Sequence, residues 1–167
     1  EFDLANKVNF SARPFKVQTD AGEYTADSVV VATGASPIHL NVSGEDSLLG
    51  RGVSYCATCD GAFFKDKKVV VVGGGDSALE EGLFLTRYAT SVTVIHRREE
   101  MRAGAILQHR AREHGKINFV FNAAVAEILG SEKVEAVRLK NTKTGDENIL
   151  ETDGVFIFVG HTPNTEI

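Results

Sequence analysis

One stretch constrains the fold more than any other. Residues 67–72 form a strand with a continuous apolar core, and Gly73-Gly74-Gly75 is a tight turn. Residues 76–87 then carry a helical pattern, with Ala78, Leu79, Gly82, Leu83 and Leu85 on a packing face and Glu80, Glu81 and Arg87 polar. Residues 91–95 read as the next strand. A strand–helix–strand unit of about 30 residues joins two parallel strands, so the chain is expected to be α/β. The turn itself, Gly73-Gly74-Gly75-Asp76-Ser77-Ala78, fits G-x-G-x-x-A. Gly73 permits the turn, Gly75 lets the backbone approach a pyrophosphate, and Ala78 allows the helix to pack close to the sheet. The free N–H groups of the helix start would face phosphate oxygens, and Ser77 adds a hydroxyl donor. The alternative is a tight turn with no ligand.

The second strand of this unit ends in His96-Arg97-Arg98, with Arg102 close behind. A site for NAD usually places Asp or Glu here, on the ribose hydroxyl. Guanidinium groups instead recognise phosphate, so the arginines favour the 2′-phosphate of NADP, with His96 stacking on or bonding the same group. The competing view is a solvated basic patch neutralised by Glu99 and Glu100.

Cys56-Ala57-Thr58-Cys59 is a C-x-x-C, and Asp60 follows it. Two sulfurs at this spacing can meet within one turn of chain, which suits a redox disulfide. A carboxyl beside a dithiol can give and take a proton. Half a zinc site would need two further ligands, and His109 and His114 are too distant and misaligned to supply them, so no metal is expected. An inert buried pair is the other alternative. The two cysteines are the only ones in the chain, too few for a secreted disulfide scaffold. No secretory leader is visible, and a cytoplasmic location is expected.

The rest of the chain fills out the architecture. Residues 15–19 and 23–26 alternate as a hairpin, and residues 29–32 read as a third, buried strand. A Pro/Gly/Ser-rich stretch over residues 36–52 reads as a connector, which puts a domain boundary near Val53. After a helix over residues 103–114 and a strand over 117–121, residues 125–129, 134–140 and 148–151 read as a meander. Residues 155–159 form a final buried strand. At 167 residues, with 43% hydrophobic and 25% charged, the composition is globular. The net charge of −5 disfavours a nucleic-acid partner, and no apolar run approaches the roughly 20 residues of a membrane helix.

A dithiol beside an NADP site poses a problem, because a hydride is a two-electron unit and thiol exchange proceeds by sulfur attack; a flavin commonly mediates. Yet no second glycine unit is present. The residues resolve this by resemblance. Tyr55-Cys56-Ala57-Thr58-Cys59-Asp60-Gly61, the glycine turn, and His96-Arg97-Arg98 with Arg102 resemble bacterial low-molecular-weight thioredoxin reductases. Ala32-Thr33-Gly34 and Gly160-His161-Thr162-Pro163-Asn164 match further signatures of that family in the same order. The resemblance implies a Rossmann-like NADPH-binding domain, a parallel sheet with a β-meander, over residues 53–167. It makes residues 1–52 a small β-rich remnant of the FAD domain. It implies a homodimer in which NADPH reduces FAD, FAD reduces the cysteine pair, and the pair reduces thioredoxin. Cys59 would be the cysteine nearer the flavin, Cys56 its partner and Asp60 the acid–base residue. The glycine turn with Ser77, Glu80, His96, Arg97, Arg98 and Arg102 would line the NADPH site, with Val159 near its floor. The family's glycine-rich FAD strand and its closing flavin segment are absent, so the chain resembles a fragment, and FAD is expected of the full-length enzyme. An isolated NADP-binding module without turnover remains an alternative. So does the flavoprotein reductase component of an alkyl hydroperoxide system, although that component resembles an NADH user without the arginine pair. Flavoproteins of the ferredoxin–NADP reductase type lack the cysteines.

Overall fold

Four consecutive valines at 69–72 are all buried, because this strand lies inside a parallel sheet covered on both faces. The computed structural model describes residues 3–166, which divide into two compact units. The smaller comprises the chain up to Gly34 together with Pro163 onward, and the larger is Ala35–Thr162.

The smaller unit is an antiparallel sheet in the order β1 (Ala5–Asn9), β2 (Phe15–Thr19) and β3 (Glu23–Ala26). The expected hairpin is present, closed by a Thr19 N–H donating to the Gly22 carbonyl at 2.8 Å. Residues 29–32, expected as a buried strand, are neither strand nor buried: Val30 is 88% exposed. Among the described residues no strand lies beside them. Within this unit the Thr33-Gly34 and Pro163-Asn164 signatures meet. The Asn164 N–H donates to the Gly34 carbonyl at 3.0 Å, and the Asn164 amide donates to the Thr33 carbonyl at 3.0 Å.

The larger unit runs β4 (Ala35–Pro37), β5 (Val53–Ser54), α1 (Ala57–Asp60), β6 (Lys68–Val72), α2 (Asp76–Leu85), β7 (Ser91–His96) and α3 (Ala105–Glu113). It continues with β8 (Ile117–Phe121), β9 (Ala123–Leu129), β10 (Ala136–Asn141), β11 (Glu147–Glu151) and β12 (Gly154–Ile157). A parallel sheet has the order β5-β12-β6-β7-β8, and an antiparallel meander the order β11-β10-β9. Strand side chains alternate between faces. Val69, Val71, Val92, Val94 and Phe156 therefore pack with Leu79 and Leu85 of α2 on one side. Val70, Val72, Ile95, Val155 and Ile157 pack with Val125, Ile128, Val137 and Leu139 of the meander on the other. The sheet is thus the middle of three layers. Helix α2 buries Ala78, Leu79, Gly82 and Leu85 as one stripe. It stops two residues before the expected end, where the Thr86 hydroxyl donates to the Leu83 carbonyl at 2.6 Å and the last turn tightens.

The connector differs from its sequence reading. Residues 36–52 pack with the larger unit, and the division of the chain falls at Gly34 rather than near Val53. Two anchors account for this. Leu48 is 2% exposed among the meander-side core residues. Glu45, equally buried, accepts hydrogen bonds from the backbone N–H groups of Leu40, Asn41 and Val42 and from the Tyr55 hydroxyl, at 2.9, 2.7, 3.4 and 2.6 Å. Burial raises the Glu45 carboxyl, but these four donors outweigh it and hold it below the ordinary carboxylate value. The Tyr55 hydroxyl is pushed upward by burial and then by its bond to Glu45.

Candidate functional site

The glycine turn after β6 is shaped by what surrounds it. Gly73 sits at φ +153°, and a Cβ there would meet the Phe158 carbonyl oxygen at 2.4 Å. A Cβ on Gly74 would meet the His96 ring at 2.3 Å. Gly75 is different: a Cβ there would meet nothing within 4 Å, so the backbone faces open space. Gly75 is also the N-cap of α2 and makes no side-chain cap. The first N–H groups of a ten-residue helix are therefore left for an outside acceptor.

That open space is a cleft of about 520 Å³. Gly73, Gly74, Gly75, Asp76 and Ser77 form one wall. His96, Arg97, Arg102 and Val159 line it as well, so nine of the residues singled out in the sequence converge here. Ala78 lies buried under the helix, as close packing requires. Glu80 and Arg98 are exposed and are not part of the lining. Ile38, His39, Leu40, residues 123–125, Gly160 and His161 also line the cleft, and sequence reasoning did not place them there. Ile38, His39 and Leu40 sit in the stretch read as a connector, where no periodicity points to a site.

The basic segment is bolted to the turn. The Arg102 and Ala103 N–H groups both donate to the Gly74 carbonyl, at 2.7 and 3.1 Å. The Gly104 N–H donates to the Asp76 carboxylate at 2.7 Å. Glu99 does not neutralise the arginines; it pairs with Lys143 at 2.7 Å, and that bond lowers its own carboxyl below the usual range. Among the described residues no ion pair reaches Arg97, Arg98 or Arg102. His96 is 6% exposed, and its Nε2 is buried without a partner. Burial, and to a lesser degree the charges of Arg102, Arg98 and Arg97, push its pKa down against a hydrogen bond with the Glu100 backbone. His96 is therefore a neutral ring wedged against the turn.

Cys56 and Cys59 are joined in a disulfide. Cys59 lies on α1 and Cys56 is its N-cap, just after β5, and neither lines the cleft. The Cys56 Sγ receives the Cys59 N–H at 3.2 Å. The Ser54 hydroxyl donates to the Asp60 carboxylate at 2.6 Å, and the Cys56 N–H donates to the Ser54 oxygen at 3.0 Å. Ser54, buried at 3% exposure and missed in the sequence, thus connects the carboxylate to the backbone of the first cysteine.

A strand–glycine turn–helix and a C-x-x-C disulfide stand together on one three-layer unit. The chain belongs to the pyridine nucleotide-disulphide oxidoreductase family, whose profile matches residues 3–167. It is 52% identical to a thioredoxin reductase of Listeria innocua over 162 residues, 96% of this chain and 51% of that protein. It is 54% identical to a thioredoxin reductase of Mycolicibacterium smegmatis over 144 residues, 86% of this chain and 46% of that protein. The crystal structure of Lactococcus lactis thioredoxin reductase superposes with a TM-score of 0.90 at 42% identity, covering 99% of this chain and 55% of that one. The chain spans about half the length of the curated relatives it matches. No described helix is long and apolar enough to cross a membrane.

Proposed function

We propose that this chain is the NADPH-binding and dithiol part of a thioredoxin reductase. The observation that carries the reading is the set of arginines beside the glycine turn, which make no ion pair among the described residues, with Arg102 fixed to the turn through its main-chain N–H. The cleft fits a dinucleotide. Its open space lies at Gly75, and the uncapped helix start supplies N–H groups for the pyrophosphate. Arg97 and Arg102 on the cleft wall would hold the 2′-phosphate, with the exposed Arg98 next to Arg97, Ser77 toward the rest of the cofactor and Val159 beneath it. Bound NADPH supplies a hydride, which is two electrons. On this reading the larger unit is the NADPH domain and the smaller unit a portion of the FAD domain.

The disulfide takes up two electrons and two protons to become the Cys56/Cys59 dithiol. Asp60, which accepts a hydrogen bond from Ser54, would pass a proton to the sulfurs. The N–H donated to the Cys56 sulfur favours a thiolate there. A thiolate then attacks the disulfide of thioredoxin to form a mixed disulfide. The second cysteine of the pair resolves it, releasing the thioredoxin dithiol and restoring the Cys56–Cys59 bond. The family resemblance adds FAD between nucleotide and disulfide, Cys59 as the cysteine nearer to it, and a homodimer. Among the described residues there is one glycine unit and no second. A cytoplasmic setting suits a dithiol of this kind.

The experiment is a calorimetric comparison of NADPH and NADH on the full 167-residue chain. NADPH should bind more tightly by about 1.5–3 kcal/mol, the worth of charge-assisted hydrogen bonds to a phosphate. Arg97→Ala combined with Arg98→Ala should remove most of that difference and leave NADH little changed. Equal affinity of the unaltered chain for both nucleotides would refute the NADP assignment.

A further inference from the structure

His39 lines the cleft from the stretch that sequence reading treated as a connector. Its side chain is 42% exposed, yet its ring is not loose. Nδ1 lies 3.0 Å from the Tyr55 hydroxyl, and the two rings pack with centroids 5.1 Å apart. The Tyr55 hydroxyl lies 2.6 Å from Glu45 Oε1, and Glu45 is the buried carboxylate that already collects three backbone N–H groups. The carboxylates of Glu45 and Asp46 stand 3.7 and 3.6 Å from Nδ1.

Counting protons along this chain fixes the tautomer. An ionised carboxylate only accepts, so the single Tyr55 proton is donated to Glu45. The Tyr55 oxygen is then left to accept, and Nδ1 of His39 must carry the proton that it accepts. In the neutral form of the ring Nε2 is then the lone-pair acceptor, and Nε2 makes no bond among the described residues. An acceptor on a residue that lines the cleft complements a ligand hydroxyl or amide N–H. It does not complement a phosphate oxygen, which would need a donor.

We infer that His39 is a positioning residue for the bound dinucleotide. In this role Nε2 accepts a hydrogen bond from a ribose hydroxyl or the carboxamide of the ligand, and the Glu45–Tyr55 pair holds the ring in the required tautomer. The inference rests on the dinucleotide reading proposed above. It divides labour within the cleft: Arg97 and Arg102 meet phosphate with donors, and His39 meets the uncharged part of the ligand with an acceptor.

The test combines imidazole 15N spectroscopy with NADP+ titration of the full chain at pH 8. The free protein should show His39 protonated at Nδ1 and bare at Nε2, and saturation with NADP+ should move the Nε2 resonance. His39→Ala should weaken NADP+ by about 3- to 10-fold, the range for one neutral hydrogen bond. Tyr55→Phe keeps the ring but removes the hydroxyl, and should let His39 populate the Nε2–H tautomer, with a smaller loss of affinity. An Nε2–H tautomer in the unaltered protein, or an Nε2 resonance unmoved at saturating NADP+, overturns the assignment of His39 alone. Absence of NADP+ binding by the unaltered chain overturns both this assignment and the dinucleotide reading beneath it.

Discussion

Two valine runs in this chain look alike as sequence and end in opposite environments. Residues 69–72 are buried on both faces, with the α2 side chains against Val69 and Val71 and the meander against Val70 and Val72. Residues 29–31 are exposed and carry no strand. Composition does not separate them. What separates them is whether neighbouring strands satisfy the backbone and a layer covers each face, which the larger unit supplies and the smaller does not among its described residues. An apolar run is thus a demand for neighbours, and its burial is a property of the assembled layers.

The strongest way to break this comparison is at the centre of the larger unit. Phe156 is fully buried and stacks edge-on with Phe64 at 5.1 Å. Phe156→Ala should cost about 3–5 kcal/mol of unfolding free energy, read from denaturant midpoints. Amide exchange in β6 and β12 should accelerate with it, while β1–β3 stay unchanged. Equal acceleration in the small sheet would mean that the two units unfold as one.

A smaller effect is expected at the anchor of the connector. Glu45→Ala leaves three backbone N–H groups and the Tyr55 hydroxyl without their acceptor, a loss of about 1–3 kcal/mol at pH 7. The sign with pH follows from the lowered carboxyl. Its stabilisation is fully present above the ordinary value of 4.5 and is lost as pH falls through the lower folded value. The stability gap between parent and Glu45→Ala should therefore be constant near neutrality and shrink in acid. A gap that widens below pH 4 would contradict the assigned hydrogen bonds. Smallest of all, Val30→Ser should change stability by no more than about 0.5 kcal/mol, since the side chain is 88% exposed. A large loss would show that residues 29–31 are covered in solution.

The strand–turn–helix–strand unit was legible because its signals are local: four valines, three glycines and a helical stripe within twenty-odd residues. The cleft was legible where it is built from that unit, in the glycines, Ser77, His96, Arg97 and Arg102. The other wall was not. Ile38, His39 and Leu40 reach it only because Glu45 gathers the N–H groups just before it and Leu48 enters the core, and neither event has a sequence period. Strand β1 was missed because all five of its residues are exposed, so no alternation betrays it. Ser54 escaped notice because its value lies in a bond to Asp60, six residues on. Glu80 and Arg98 show the converse: the family resemblance named them, yet they stand outside the cleft lining.

Much of the segment from Arg97 to Gly104 is held through its main chain. Carbonyls of Arg97 and Arg98 accept from the Thr142 hydroxyl and the Asn122 N–H, and N–H groups of Arg102, Ala103 and Gly104 donate to the turn and to Asp76. None of these bonds depends on which side chain occupies positions 97, 98 or 102. Such a loop can exchange its side chains over evolutionary time without disturbing the scaffold. On the dinucleotide reading proposed above, a few codon changes here would alter nucleotide preference and leave the disulfide at α1 untouched.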